Sequence, residues 1–249
     1  MKTVNLQLPA ERLPSKIDLS VYCPNAKGQY RSTCYAYAFA YTALSINYCV
    51  KHNITERKEV EENAFSPGFI ASRHRQNTNF NYWCGRQGNY DIDLAIFGKD
   101  GCPKLIDFPP DCTATIPDNI FALASQTRLD KYEYIQTQND TSVQAIEKIK
   151  IVLAHQVPVL IVVNLTKDFS NKLKDDCNTT LPSLYRGKKA SGYHDICVIG
   201  YDDDPESKYF GRFLVKNNYK TWGDSRNMAW VLYDDMMYMI SQALYFTIL

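Results

Sequence analysis

The run from Cys34 to Val50 is apolar on nearly every side and rich in alanine and aromatic residues. Such a run reads as a helix buried all round, so the rest of the chain has to wrap it. Further helix signals crowd the first half. Pro67 to about Arg75 begins with proline in the first turn and Ser66 placed as an N-cap. Asp91 to Gly98 reads as a short helix ended by glycine, and Thr141 to His155 carries Val143, Ile146, Ile149 and Leu153 on one face. Strand signals fill the second half, at Val159–Asn164, 194–200, 209–216, 228–233 and Ala243–Leu249. Residues 100–118 are proline-rich without a period, as suits a crossing between lobes, and Leu165 to Gly192 reads as a polar insertion. Helices early and strands late predict an α+β fold of two lobes with a cleft between them. The expected division is an arm or precursor remnant at 1–12 and one domain at 13–249, helical over about 20–115 and β over about 116–249.

A formal net charge of +1 over 249 residues gives no electrostatic case for nucleic acid or an anionic membrane as partner. The longest strongly apolar run, Val157 to Val163, falls far short of the roughly 20 residues that cross a bilayer. The N-terminus shows no signal peptide. Eight cysteines are many for a cytosolic enzyme of this length. With Cys34 set aside and Cys197 buried in an apolar strand, an even six remain, enough for three disulfides. Cys102 and Cys112 flank Phe108-Pro109-Pro110 and could close a short loop. A disulfide framework implies an oxidising compartment, so secretion is expected, with the signal already removed. No cysteine or histidine pair stands at metal-ligand spacing, and no metal or other cofactor is expected.

The chemistry concentrates where the buried helix starts. Cys34 follows a polar loop carrying Gln29, and a helix N-terminus favours thiolate over thiol. A nucleophilic thiol needs a base and a group to orient it. His194 precedes the apolar run Ile196–Ile199. Phe213 and Val215 share one face of a later strand, and Asn217 continues that face while Asn218 turns away. A strand-end asparagine can hold one ring nitrogen and leave the other facing the thiol. His52 and His74 read as surface residues, and His155 ends an amphipathic helix.

These segments resemble the papain-like (C1) cysteine peptidases. Thr33-Cys34-Tyr35-Ala36-Tyr37-Ala38 is similar to that family's Ser-Cys-Trp-Ala-Phe-Ala, and Gly192 through Tyr201 to its histidine strand. Val215-Lys216-Asn217-Asn218-Tyr219 through Trp222-Gly223-Asp224 is similar to its asparagine segment, and Leu13-Pro14 through Leu19 to its mature start. The resemblance spans about residues 13–235. It implies a helical lobe beside an antiparallel β-sheet or barrel lobe, with the active site in the cleft. It also implies Cys34 as nucleophile, His194 as base, Asn217 as its orienting group, and Gln29 with the Cys34 backbone N–H as oxyanion donors. Partners would be a peptide or protein substrate, and an N-terminal propeptide or protein inhibitor. The departures are specific. Gln29 lies five residues before Cys34 instead of six, and Tyr35 and Tyr219 stand where tryptophans are usual. One residue is missing before Trp222, and Asp195 replaces an alanine after the histidine. Strand alternation predicts that Asp195 points away from the site. Two other readings use the same scaffold: a thiol acyl-transferase or deamidase, and a catalytically inactive binding protein.

Overall fold

The computed structural model describes residues 13–78, 88–136, 144–171 and 189–249. The arm at 1–12 and most of the polar insertion lie outside the described residues.

The apolar run is the predicted central helix. It starts as α1 (Cys34–Ala36), continues through a π-helical stretch, Tyr37–Leu44, and ends as α2 (Ser45–Lys51). Every residue from Tyr35 to Asn47 is buried. Ser45 Oγ donates to the Ala40 carbonyl at 3.2 Å, a polar side chain satisfied inside the wider turn. Phe39 shows why the run has no polar face. Its ring stacks on Phe246 of the last strand at 4.6 Å and meets Phe97 edge-on at 5.7 Å. Each such fully buried aromatic contributes roughly 1.5–3 kcal/mol.

Around this axis stand α3 (Arg57–Glu62), α4 (Pro67–Thr78), α5 (Tyr90–Asp100) and α6 (Asp118–Ala124). Ser66 caps α4 as its position predicts, accepting the Phe69 N–H at 3.2 Å. Asn89 caps α5 in the same way.

The second lobe is one antiparallel sheet of seven strands: β1 (Lys16–Asp18), β2 (Leu129–Gln136), β3 (Val159–Leu165), β4 (Gly192–Asp202), β5 (Arg212–Lys216), β6 (Met228–Leu232) and β7 (Ile240–Ile248). The order is β2-β7-β3-β4-β5-β6, with β1 also paired to β4. Helix α7 (Gln144–Ala154) packs against it through Ile146, Ile149 and Leu153, three of the four residues of its predicted face. Short helices α8 (Lys167–Asn171) and α9 (Tyr233–Met239) and a 3-10 turn at Ser20–Tyr22 complete the described elements. The fold is α+β and two-lobed, as expected. None of the described helices is long and apolar enough to cross a membrane.

Hydrogen bonds tie the central helix to the second lobe near the site. Cys197 Sγ on β4 donates to the Ala38 carbonyl at 3.2 Å, and Thr42 Oγ1 donates to Asn218 Oδ1 at 3.4 Å. The element bearing Cys34 and the strand bearing His194 therefore share one core.

The three-disulfide expectation is not met. Cys23, Cys49 and Cys102 are free and buried, as is the expected free Cys197, and Cys34 is free and half-buried. Cys102 donates instead to the Ser66 carbonyl at 3.5 Å, so the proposed Cys102–Cys112 closure does not form. Cys112 is disulfide-bonded. Burial in an apolar core suits a free thiol as well as a half-cystine, and the even count could not tell them apart. With it goes the three-disulfide framework from which an oxidising compartment was expected.

Candidate active site

Cys34 opens the central helix at a cleft of about 540 Å³, whose lining includes Gln29, Cys34, His194 and Tyr219. The loop carrying Gln29 is tied across the cleft, because its N–H donates to the Asn218 carbonyl at 2.7 Å. Arg31 adopts a left-handed φ of 53° between Gln29 and Cys34, tightening a loop one residue shorter than the family pattern. Gln29 Nε2 donates to the Arg31 carbonyl at 2.9 Å, while its Oε1 is buried without a partner. The amide thus lines the same cleft as Cys34, with one N–H engaged by its own loop and a second to spare.

His194 sits on β4 opposite Val163 of β3 and is buried. Its Nε2 meets Asn217 Oδ1 at 2.8 Å. The same oxygen accepts the Asn218 N–H at 2.6 Å, which identifies it as the oxygen of the amide. Nε2 must therefore carry a proton, and Nδ1 is left as the basic nitrogen. The Tyr219 ring stacks on the imidazole at 4.4 Å and 23°, covering this pair as tryptophan would. Burial pushes the His194 pKa down to about 4, against a smaller upward pull from Asn217, so the ring is a neutral base at pH 7. Asn218 points elsewhere, to Thr42. The alternation that selected Asn217 over Asn218 matches these contacts.

Asp195 does not point away. Its Oδ2 accepts from Cys34 Sγ at 3.2 Å, and this is the sole hydrogen bond of the Cys34 side chain among the described residues. The expectation assumed a cleft confined to one face of β4. Gly192, Tyr193, His194 and Asp195 all line it, so it runs across the strand's start, where both faces open on it. Asp195 pairs across the sheet with Val162, which pairs with Gln242, and all three line the cleft. Burial raises the Asp195 pKa to about 6, offset by the Cys34 bond and by the nearby Tyr90 hydroxyl. That hydroxyl is buried and makes no hydrogen bond of normal geometry. Burial first, and the Asp195 charge second, raise the Cys34 pKa well above its usual value. The low-pKa thiol expected from the helix start is thus absent in this arrangement. The favourable dipole is outweighed by desolvation and an adjacent carboxylate.

Two further residues escaped the sequence reading. His74 is not on the surface; it is buried, with Nδ1 at 2.8 Å from Asp93 Oδ1 and its ring 4.7 Å from that of Tyr35. The polar sequence around His74 concealed the i, i+3, i+4 spacing that joins it to the buried Ile70 and Ala71. Gly88 lines the cleft where a Cβ would come within 2.2 Å of Tyr35 Cβ, so only glycine fits there. No group of three metal-ligating side chains occurs among the described residues.

The chain has the fold of the papain-like cysteine proteases. It is similar to xylellain, a cysteine protease from Xylella fastidiosa, with a TM-score of 0.71 and 16% identity over 96% of this chain and 87% of that one. It is also similar to digestive procathepsin L 3 of Tenebrio molitor larval midgut, with a TM-score of 0.65 and 15% identity over 99% of this chain and 75% of that one. The bromelain protease of Ananas comosus, in complex with the E64 inhibitor, gives a TM-score of 0.65 and 17% identity over 94% and 99%. No family model matches the chain, and no curated protein matches it by sequence.

Proposed function

We propose that the protein is a cysteine peptidase that cleaves peptide bonds through Cys34, His194 and Asn217. The observation that carries this reading is the sheltered His194–Asn217 bond, opening on the same cleft as the helix-start thiol. Cys34 Sγ attacks the scissile carbonyl carbon as its proton passes to His194 Nδ1. The carbonyl oxygen takes the negative charge and is met by the Cys34 N–H and Gln29 Nε2. Collapse breaks the C–N bond, the imidazolium gives its proton to the leaving amine, and a thioester remains. Water, deprotonated by His194, then hydrolyses it. Losing one oxyanion donor typically costs about 100- to 1,000-fold in rate. The partner is a peptide or protein substrate. The proenzyme form of procathepsin L 3 supports an N-terminal precursor segment as a second partner. A secreted site of action belongs to the same proposal, without support from the cysteine count.

One observation favours a second reading, an inactive peptide-binding protein: the nucleophile's hydrogen-bond partner is a carboxylate instead of the base. Hydrolysis of a mixed peptide library, with cleavage products read by mass spectrometry at pH 5 and pH 7, separates the two. The peptidase reading expects products with the native chain and none with Cys34→Ala. Binding of peptides without cleavage at either pH would establish the alternative.

A further inference from the structure

We propose that Asp195 is a proton-controlled restraint on the nucleophile: its carboxylate holds Cys34 as the thiol, and protonation of Asp195 frees the sulfur to ionise. The inference rests on Cys34 and His194 forming a reactive pair, but not on peptides being the substrate.

The geometry is the starting point. The carboxylate is buried, 8% exposed, and its Oδ2 lies 3.2 Å from Sγ. A thiolate at that distance from a carboxylate meets a like charge in a poorly solvated wall. The neighbours do not relieve it. The central helix presents Cys34 and Tyr35 towards Asp195. Helix α5 presents Tyr90 and Asp93, and Asp93 is paired with His74 of α4. Its own strand adds Cys197 and the adjoining His194, and β3 and β7 add only Val162 and Gln242. No lysine or arginine is paired with Asp195 among the described residues. The acidic neighbour Asp93 instead makes a second charge there less favourable.

The two protonation states of Asp195 therefore act oppositely. Ionised, it accepts a hydrogen bond from the thiol and repels the thiolate. Protonated, it can donate its O–H to the sulfur and stabilise the thiolate, while the Cys34 proton passes to His194 Nδ1. Its extra proton comes from solvent and returns there, so the sulfur pair remains free to attack. Burial places this exchange near pH 6, within the range a compartment can vary. The nucleophile is then most reactive in mildly acidic solution and restrained at neutral pH.

The test is the alkylation rate of Cys34 by iodoacetamide, an uncharged probe, from pH 4.5 to 9, with the adduct located by peptide mass mapping. In the native chain the rate should fall about 5- to 10-fold between pH 5 and pH 7 and rise again only as the thiol itself ionises in alkali. Asp195→Asn, which cannot titrate, should remove that fall and react about tenfold or more faster than the native chain at pH 7.5. A native profile that rises monotonically with no inflection near pH 6, or an Asn profile superimposable on it, would overturn the proposal. If the variant fails to fold, the native profile alone decides. An inflection in a chain that cleaves no peptide would support the restraint and refute the peptidase reading.

Discussion

Replacing Asn217 with alanine removes the acceptor that fixes the His194 ring, at 2.8 Å from Nε2. In the resting site the imidazole is neutral, and a neutral bond of this kind is worth about 0.5–1.5 kcal/mol net. In the proposed reaction His194 takes the thiol proton during attack, and a bond from a charged donor is worth about 1.5–3 kcal/mol. The difference, about 1–2 kcal/mol, acts only in the transition state and corresponds to roughly 5- to 30-fold in turnover. Loss of the ring's orientation adds to it, because Asn217 is the group that fixes the ring. Together these give on the order of 10- to 1,000-fold in turnover for Asn217→Ala, less than for Cys34→Ala. Asn218→Ala should change turnover little, since that side chain contacts Thr42 and not the base. Steady-state kinetics of the two variants on one peptide substrate is the assay. Near-native turnover in Asn217→Ala with a large loss in Asn218→Ala would refute the assignment of the orienting group.

Other consequences follow from burial. Thiol titration of the denatured, non-reduced chain should find at least five reactive cysteines, for Cys23, Cys34, Cys49, Cys102 and Cys197; a lower count would contradict the free buried thiols. His74→Ala strips the partner from Asp93, whose pKa burial already raises to about 6, and should cost about 3–5 kcal/mol by urea unfolding. A loss under 1 kcal/mol would mean that the pair is not a structural element. Asp195 has a folded pKa near 6, above its unfolded value, so folded chains bind the extra proton between about pH 4 and 6. Stability should fall as pH rises through that window by on the order of 2–3 kcal/mol and stay lower above it. Asp195→Asn should therefore be the more stable protein at pH 7 and comparable at pH 4; lower stability than native at pH 7 would contradict the desolvation argument.

The central helix was legible because a run from Cys34 that is apolar on nearly every side has one physical solution. His194 and Asn217 were legible because strand period places Phe213, Val215 and Asn217 on one face. What was hidden had its cause in tertiary packing. Among the described strands β2 lies at the sheet's edge, paired only with β7, and carries Asp130, Lys131 and Glu133, so charge replaced the apolar signal. Helix α9 lies between β6 and β7 and buries Met236 and Met239, yet its seven residues were too few to show a period. The side chain of Asp195 was misplaced by a rule that holds along a strand but fails at its start, where the cleft opens on both faces. The acid–thiol contact depends on where α1 meets β4, which no local pattern encodes.

The central claim is that Cys34 is the nucleophile and His194 its base. Incubating the native chain with a peptidyl epoxide at mildly acidic pH, followed by mass mapping, tests it most directly. The account expects one adduct per chain, on Cys34, formed at least tenfold more slowly in His194→Ala. An adduct on Cys23, Cys49, Cys102 or Cys197, or a Cys34 adduct that forms equally fast without His194, would contradict it.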